Sequence, residues 1–225
     1  MDQLLSGLHQ FHTQVFRRER EFLSKLAAGQ SPSVLFIGCS DSRVDPSIIT
    51  QAGLGELFVM RNAGNIVPCY GASNGGEPAT IEYAVSALGV TDIVVCGHSG
   101  CGAIQAMLAP EKMEKLPLVR SWLNHAEATR RIILENYSHL TGDSQMAAAV
   151  SEHVLVQIEN LQTHPSVAVR LQRGELTLHA WVYQMKTGEV MAYSSEDGKF
   201  TAITNLPPEE AGKRKVSNPR QAKQT

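Results

Sequence analysis

The sequence has few cysteines, almost no net charge and no long hydrophobic run. Four cysteines in 225 residues are too few for the disulfide framework of a small secreted domain, which favours a metal or catalytic use in a reducing compartment. Twenty basic and 22 acidic side chains leave a net charge of −2, too small for a whole-chain field that would attract nucleic acid or an anionic membrane. No apolar run approaches the roughly 18 residues of a membrane span, and the first residues lack a signal-peptide pattern. We therefore expect a cytoplasmic protein.

Composition and length indicate one globular domain. Hydrophobic residues make up 43% of the chain and charged residues 19%, which excludes a mostly disordered or fibrous protein. We predict a single domain over residues 1–206, whose residues 1–28 form an N-terminal helical arm, followed by a flexible basic tail over residues 207–225, where apolar residues become rare. The arm carries apolar residues at spacings of three, four and seven between Leu4 and Leu26, and a stripe of this length predicts at least a dimer.

Short apolar runs rich in β-forming residues alternate with helical patterns along the domain. The strand patterns span residues 33–39, 56–61, 92–96, 176–185 and 189–193. The helical patterns span residues 79–88, 116–137 and 144–162. The last two strand patterns flank a Lys-Thr-Gly turn and indicate a hairpin. We predict an α/β fold with a mainly parallel central sheet, flanking helices and an antiparallel edge strand.

Two segments place unusual polar residues directly after a predicted buried strand. Cys39-Ser40-Asp41-Ser42-Arg43 follows the first strand, and Gly97-His98-Ser99-Gly100-Cys101-Gly102 follows the third. In a parallel sheet both segments emerge at the same edge, so Cys39, His98 and Cys101 can converge. Two thiolates and an imidazole favour Zn²⁺, and three protein ligands leave a fourth position for water.

Asp41 and Arg43 are a second feature of the first segment. Because they are two residues apart, their side chains point to the same side of an extended chain and can pair through two hydrogen bonds. Such a pair would hold the carboxylate where it accepts a hydrogen bond from a zinc-bound hydroxide and orients the oxygen for attack.

Each of these residues has a simpler interpretation when it is taken alone. A lone cysteine at a strand end is usually a small core residue, and a lone histidine in a glycine-rich turn usually bonds to its own loop. The combination of two cysteines, a histidine and the adjacent acid–arginine pair favours a metal site. Cys96 lies inside an apolar run and is predicted to pack in the core, whereas Cys69 in its turn is predicted to be incidental. The glycine-rich residues 71–76 match no phosphate-binding motif and indicate a turn.

The motifs together resemble the β-class carbonic anhydrases over about residues 1–200. The resemblance lies in Cys39-x-Asp41-Ser42-Arg43, Arg61-Asn62-Ala63-Gly64-Asn65, Ile81-Glu82-Tyr83-Ala84 and Gly97-His98-Ser99-x-Cys101-Gly102. It implies one zinc ion per subunit held by Cys39, His98 and Cys101, an Asp41–Arg43 dyad, and reversible hydration of CO₂ to bicarbonate and a proton. It also implies an arm laid across a partner subunit, and dimers that can pair into tetramers.

The resemblance extends to a substrate pocket and to a subtype. Gln30, Phe58 and Tyr83 fall where plant-like members place the residues that line the pocket for CO₂ and bicarbonate. Residues 118–140 look similar to the cyanobacterial carboxysomal members. Their long C-terminal extension is missing from this sequence, so a carboxysomal location is not favoured.

Three alternatives to carbonic anhydrase activity remain open from the sequence. The first is an inactive assembly module with the same fold, and the second is hydrolysis of related small molecules such as carbonyl sulfide or carbon disulfide at the same metal. The third is a nucleotide- or phosphate-binding α/β protein, which the missing phosphate motifs disfavour. Neither nucleic acid nor a membrane is expected as a partner.

Overall fold

One six-stranded sheet forms the centre of the computed structural model, which describes residues 1–216. The strands are β1 Val34–Cys39, β2 Leu57–Asn62, β3 Asp92–His98, β4 Thr177–Tyr183, β5 Val190–Ser194 and β6 Lys199–Ala202. Their order across the sheet is β2-β1-β3-β4-β5-β6. β1 pairs with β2 and β3 in parallel, β3 pairs with β4 in parallel, and the last two pairings are antiparallel. The predicted α/β fold with a mainly parallel sheet is confirmed, and its antiparallel edge contains two strands.

Helices and helical turns connect the strands. The α-helices are α1 Asp2–Gln10, α2 Phe16–Arg18, α3 Arg20–Ala27, α4 Pro46–Thr50, α5 Gly76–Glu82, α6 Gly102–Leu108, α7 Pro117–Leu123, α8 Glu127–Asn136, α9 Gly142–Gln162, α10 Pro165–Gln172 and α11 Pro208–Ala211. Phe11–Val15 and Tyr83–Leu88 form π-helical turns, and Pro110–Met113 and Asn124–Ala126 form 3₁₀ turns. Across residues 1–216, every helix falls short of the length or apolar character that a membrane span requires.

The single helix predicted over residues 116–137 is wrong in its middle. The structure divides this segment into α7 and α8 at the 3₁₀ turn Asn124–Ala126. Asn124 and His125 are weak helix formers, so little in the local sequence favours a continuous helix there.

The main core lies between the sheet and α9. Val95 of β3 and Ala180 of β4 are fully buried together with Val154 of α9. Gly97 permits this close approach, because a Cβ at that position would lie 2.8 Å from Cγ2 of Val154. The packing of α9 against β3 and β4 fixes the position of the carboxyl end of β3.

The opposite face of the sheet carries a smaller apolar cluster. Phe36, Val94 and Cys96 are buried there, and the ring of Trp181 meets that of Phe36 edge-on at 6.4 Å between centroids. Burial raises the pKa of the Cys96 thiol to about 12. The prediction that Cys96 packs in the core is confirmed.

The N-terminal arm is helical, and its first part is not packed into the body of its own chain. Helices α1 to α3, with the π-helical turn after α1, contain no buried residue. Leu4, Leu8 and Phe11 remain 67%, 64% and 45% exposed, whereas Leu26 at the end of the arm is half-buried against Gly55. The apolar stripe from Leu4 to Phe11 therefore finds no cover in the described part of the chain.

Part of the predicted tail contacts the sheet. The N–H of Val216 donates to the carbonyl oxygen of Leu178 in β4 at 2.9 Å, the N–H of Ser195 donates to the carbonyl oxygen of Lys215, and Arg214 forms an ion pair with Asp197. The domain boundary at residue 206 stays a prediction, and residues 217–225 of the predicted tail lie outside the described residues.

Candidate metal centre

Cys39, His98 and Cys101 meet at the carboxyl ends of two neighbouring parallel strands. Cys39 ends β1 and His98 ends β3, while Cys101 directly precedes α6. One potential ligand atom from each residue lies within 4.8 Å of the other two. All three residues are buried. The order of the strands thus brings together residues that are about 60 positions apart in sequence.

The atoms of this group fit a tetrahedral zinc ion. The Sγ atoms of Cys39 and Cys101 are 3.9 Å apart, and two sulfurs bound to a tetrahedral zinc at about 2.3 Å would be roughly 3.8 Å apart. Nδ1 of His98 lies 3.1 Å from the carbonyl oxygen of Ser99. A carbonyl only accepts, so Nδ1 carries the proton and Nε2 keeps a free electron pair. Nε2 is buried without a hydrogen-bond partner, as expected for an atom that binds a metal.

The electrostatics of the two thiols favour one thiolate even before a metal binds. The hydrogen bond between the two thiols lowers the pKa of the Cys39 thiol. The same hydrogen bond, together with burial, raises the pKa of the Cys101 thiol. Metal binding must therefore remove a proton from Cys101, which makes the affinity depend on pH.

Asp41 and Arg43 form a bidentate pair beside this group. Nε and Nη2 of Arg43 donate to Oδ1 and Oδ2 of Asp41 at 2.8 and 2.6 Å, and the N–H of Arg43 also donates to Oδ1. The side-chain and backbone hydrogen bonds from Arg43 hold the pKa of the Asp41 carboxyl well below its usual range. Oδ2 of Asp41 lies 3.9 Å from Nε2 of His98. A permanent carboxylate thus borders the thiolate and imidazole group.

Arg61 supports the turn that carries these residues. Its Nε donates to the carbonyl oxygen of Cys39 at 2.9 Å, and its Nη2 donates to that of Asp41 at 2.8 Å. Arg61 belongs to one of the motifs in the sequence, but the sequence did not predict a role for it. The position opposite Gly38 in the β1–β2 register is the structural signal for this contact, and the sequence alone does not reveal the register.

The loop after β2 contributes a backbone donor to the metal centre. The N–H of Gly64 points to Sγ of Cys39 at 3.4 Å. Gly64 has a φ of +84°, and a Cβ there would lie 3.0 Å from Cβ of Ala103. Both the conformation and the close contact require glycine at this position.

A stripe of polar residues on α9 forms hydrogen bonds to the same loop. His153, Gln157 and Asn160 occupy successive turns of an otherwise apolar helix face and bond to the backbone of residues 64–67. His153 of this stripe is buried and hydrogen-bonded. The polar spacing i, i+4, i+7 on an apolar helix was the signal that could have identified the stripe.

The three predicted pocket residues do not gather at the metal centre of their own chain. The rings of Phe58 and Tyr83 pack at 5.9 Å between centroids, and Tyr83 is 49% exposed. Phe58 pairs with Leu35, four positions before Cys39, which is about 13 Å along a strand. Gln30 precedes the amino end of β1 and is exposed. Gln30 and Phe58 therefore lie toward the opposite end of the strands from the metal centre.

Comparisons with known proteins agree on one family. The sequence model for carbonic anhydrase matches residues 34–190. A carbonic anhydrase of Synechocystis sp. is 51% identical over 215 residues, which cover 93% of this chain and 78% of that protein. One of Pseudomonas aeruginosa is 44% identical over 207 residues, covering 92% of this chain and 94% of that protein.

Solved structures show the same similarity. The β-carbonic anhydrase CcaA superposes with a TM-score of 0.88 at 52% identity, covering 90% of this chain and 98% of that one. A tetrameric β-carbonic anhydrase of Sordaria macrospora superposes with a TM-score of 0.78 at 29% identity, covering 89% of this chain and 98% of that one.

Proposed function

Because this chain belongs to the β-carbonic anhydrase family, we propose that it hydrates carbon dioxide reversibly to bicarbonate and a proton at the group of Cys39, His98 and Cys101. One observation carries the proposal. The buried group offers two sulfurs at tetrahedral spacing and an unpartnered imidazole nitrogen, next to a carboxylate that Arg43 keeps ionised. Each of these features serves a metal-assisted hydration.

The three residues would hold one zinc ion per subunit. Zinc in such a site supplies a Lewis acid that lowers the pKa of a coordinated water from 15.7 to about 7. Two thiolates already balance the charge of the metal, so Asp41 is not needed as a further anionic ligand. Its two hydrogen bonds from Arg43 keep it paired outside the ligand set.

Asp41 would orient the attacking water. Its carboxylate is fixed in place by Arg43 and faces the centre through Oδ2, 3.9 Å from Nε2 of His98. From this position Oδ2 can accept a hydrogen bond from the water and so direct the oxygen lone pair toward the carbon of CO₂. Arg43 keeps the carboxylate anionic and takes no proton itself.

The pocket for CO₂ would be completed by a second copy of the chain. Gln30 and Phe58 lie toward the amino ends of β1 and β2, whereas the metal centre is at the carboxyl ends. They can line that centre only if they belong to another subunit. The uncovered arm, which leads directly to Gln30, supplies a contact between subunits. A homodimer, or a tetramer of two dimers, is the assembly that follows, and its location in the cytoplasm stays a prediction.

The experiment is a zinc analysis coupled to a CO₂ hydration assay on the same preparation. The wild type should hold one zinc per subunit and hydrate CO₂, while Cys101→Ala should lose both because two ligands cannot retain the metal. Cys96→Ala removes another buried thiol, which packs with Phe36 and Val94 in the smaller apolar cluster, and should keep both. Stoichiometric zinc without hydration would favour an inactive module, or turnover of carbonyl sulfide or carbon disulfide. Zinc retained by Cys101→Ala would remove Cys101 from the ligand set.

A further inference from the structure

A buried polar network connects α9 to the loop that faces the metal centre. His153 of α9 is 1% exposed, and its Nε2 lies 2.8 Å from the carbonyl oxygen of Gly64. Oγ1 of Thr129 in α8 and Nε2 of Gln157 approach Nδ1 of His153 at 3.3 and 3.4 Å. The network therefore spans two helices and meets the loop at the carbonyl oxygen of Gly64 and, through Gln157, at the N–H of Val67.

The contacts define the proton positions of His153. The carbonyl oxygen of Gly64 can only accept, so Nε2 carries the proton and donates. Nδ1 is then the acceptor for the hydroxyl of Thr129 and the amide of Gln157. Burial lowers the pKa of His153 to about 4, which agrees with a neutral ring at physiological pH. The ring is thus a fixed neutral donor aimed at Gly64.

Gly64 transmits this contact to a sulfur of the metal centre. On one side its carbonyl oxygen accepts from His153, and on the other its N–H points to Sγ of Cys39 at 3.4 Å. Gly64 has a φ of +84° and lies close to Ala103. Its left-handed backbone conformation must be held by contacts from neighbouring residues. The hydrogen bond from His153 holds the peptide group after Gly64. The indole N–H of Trp122 donates to the carbonyl oxygen of Ala63 at 2.9 Å and holds the peptide group that carries the Gly64 N–H.

We propose that His153 is a positioning residue for the Cys39 thiolate, acting through the backbone of Gly64 and touching neither metal nor substrate. This rests on the proposed function only in that Cys39 binds the metal. An N–H that points at a thiolate withdraws charge from the sulfur. With the donor held in place, Cys39 gives less charge to the metal and preserves its Lewis acidity. Without His153, Trp122 alone holds the peptide group of the Gly64 N–H, through the carbonyl oxygen of Ala63, and the N–H can tilt away from the sulfur.

The test compares cobalt-loaded variants in the absence of CO₂. His153→Phe removes the donor, whereas His153→Gln keeps an amide N–H that can reach the Gly64 oxygen. The matched control is His164→Phe, because His164 is also buried and its Nε2 also meets a carbonyl of this loop, that of Pro68 at 3.0 Å. Pro68 has no hydrogen bond to the group of Cys39, His98 and Cys101 among the contacts of residues 1–216.

We expect His153→Phe to move the thiolate-to-Co(II) charge-transfer absorption to longer wavelength, because a sulfur that keeps more of its charge donates it to the metal more readily. The pH midpoint of hydration by the zinc enzyme should rise. His153→Gln should restore the wild-type wavelength, and His164→Phe should keep it even if its thermal stability falls. If His153→Phe does not fold, His153→Asn, whose amide is too short to reach Gly64, should show the same shift.

An unshifted absorption in the donor-free variant would overturn the inference. An equal shift in His164→Phe would do so too, because it would indicate general loosening of the loop. A wild-type protein that binds cobalt with the expected spectrum but fails to hydrate CO₂ in its zinc form would contradict the proposed function alone.

Discussion

Two aspartates close to each other on the chain, Asp41 and Asp45, have different tasks. Asp41 pairs with Arg43 beside the metal centre, whereas Asp45 caps α4 by accepting from the N–H groups of Ser47 and Ile48. We predict that Asp41→Asn keeps zinc but loses about 10²-fold or more of its hydration rate, because the amide is no longer a fixed anionic acceptor. Stopped-flow hydration together with zinc analysis measures both properties.

The matched control for this substitution is Asp45→Asn. Asparagine caps a helix about as well as aspartate, so this variant should retain wild-type stability and turnover. Wild-type turnover in Asp41→Asn would refute the orienting role, and loss of zinc there would count Asp41 among the ligands.

His153 also makes stability depend on pH. Its pKa is about 4 in the folded chain and ordinarily 6.5, so between these values the unfolded chain binds a proton that the folded chain does not. Stability should therefore fall as the pH drops from 6.5 to 4, by up to about 3 kcal/mol. Urea unfolding of wild type and His153→Gln at pH 7 and pH 4.5 checks this. A stability difference between the two proteins that is the same at both pH values would contradict the assignment.

Whether the role of a residue could be predicted from the sequence depends on how close its partners are along the chain. Cys39, Asp41, Arg43, His98 and Cys101 could be selected from the sequence because each follows a recognisable buried strand. The roles of Gly64 and His153 depend on how α9, far away in sequence, lies against the loop after β2. That placement results from side-chain packing in the core: the polar spacing on α9 marks the stripe in the sequence but does not show which loop the stripe contacts.

Among the elements, the N-terminal arm carries the clearest prediction. We expect Leu4→Glu with Leu8→Glu to reduce the subunit number, because both exposed side chains belong to the uncovered apolar stripe. Ser6→Glu with Gln10→Glu adds the same charge at the same spacing to the opposite face of α1 and should leave the assembly unchanged. Light scattering after size exclusion gives the mass of each variant. An unchanged mass in the leucine variant would mean that the stripe makes no contact between subunits.

The strands and the helices differ in how much the sequence reveals. β1 and β3 are nearly continuous apolar runs that are buried along most of their length, and such runs form strands in a parallel sheet. β2 at the edge of the sheet has only one buried residue. β6 has only four residues, Lys-Phe-Thr-Ala, and forms because β5 offers it a free edge. The break between α7 and α8 falls at the weak helix formers Asn124 and His125, shortly after Trp122, whose indole donates to the carbonyl oxygen of Ala63.

For the whole molecule, the described end of the chain adds stability without serving the metal centre. Val216 bonds to Leu178 near the amino end of β4, whereas His98 is level with Tyr183 at the other end. We predict that truncation after Leu206 leaves zinc content and hydration unchanged but costs about 1–3 kcal/mol from the lost backbone hydrogen bonds. Truncation after Val216, which keeps these bonds, gives the reference chain. Thermal unfolding and hydration of both truncated chains test this, and equal melting temperatures would show that residues 207–216 contribute no stability.

The pairing of β1 with β3 also has a consequence for the kinetics of folding. These strands are neighbours in the sheet but are separated along the chain by β2 and α5. Pairing of distant segments is slow because the loop must close before its contacts form. Cys39 and His98 cannot share a metal until that pairing exists, whereas the hairpin of β4 and β5 forms from local contacts. During refolding, the rate of zinc uptake, followed with a coloured zinc indicator, should therefore track assembly of the central strands and lag behind formation of the hairpin.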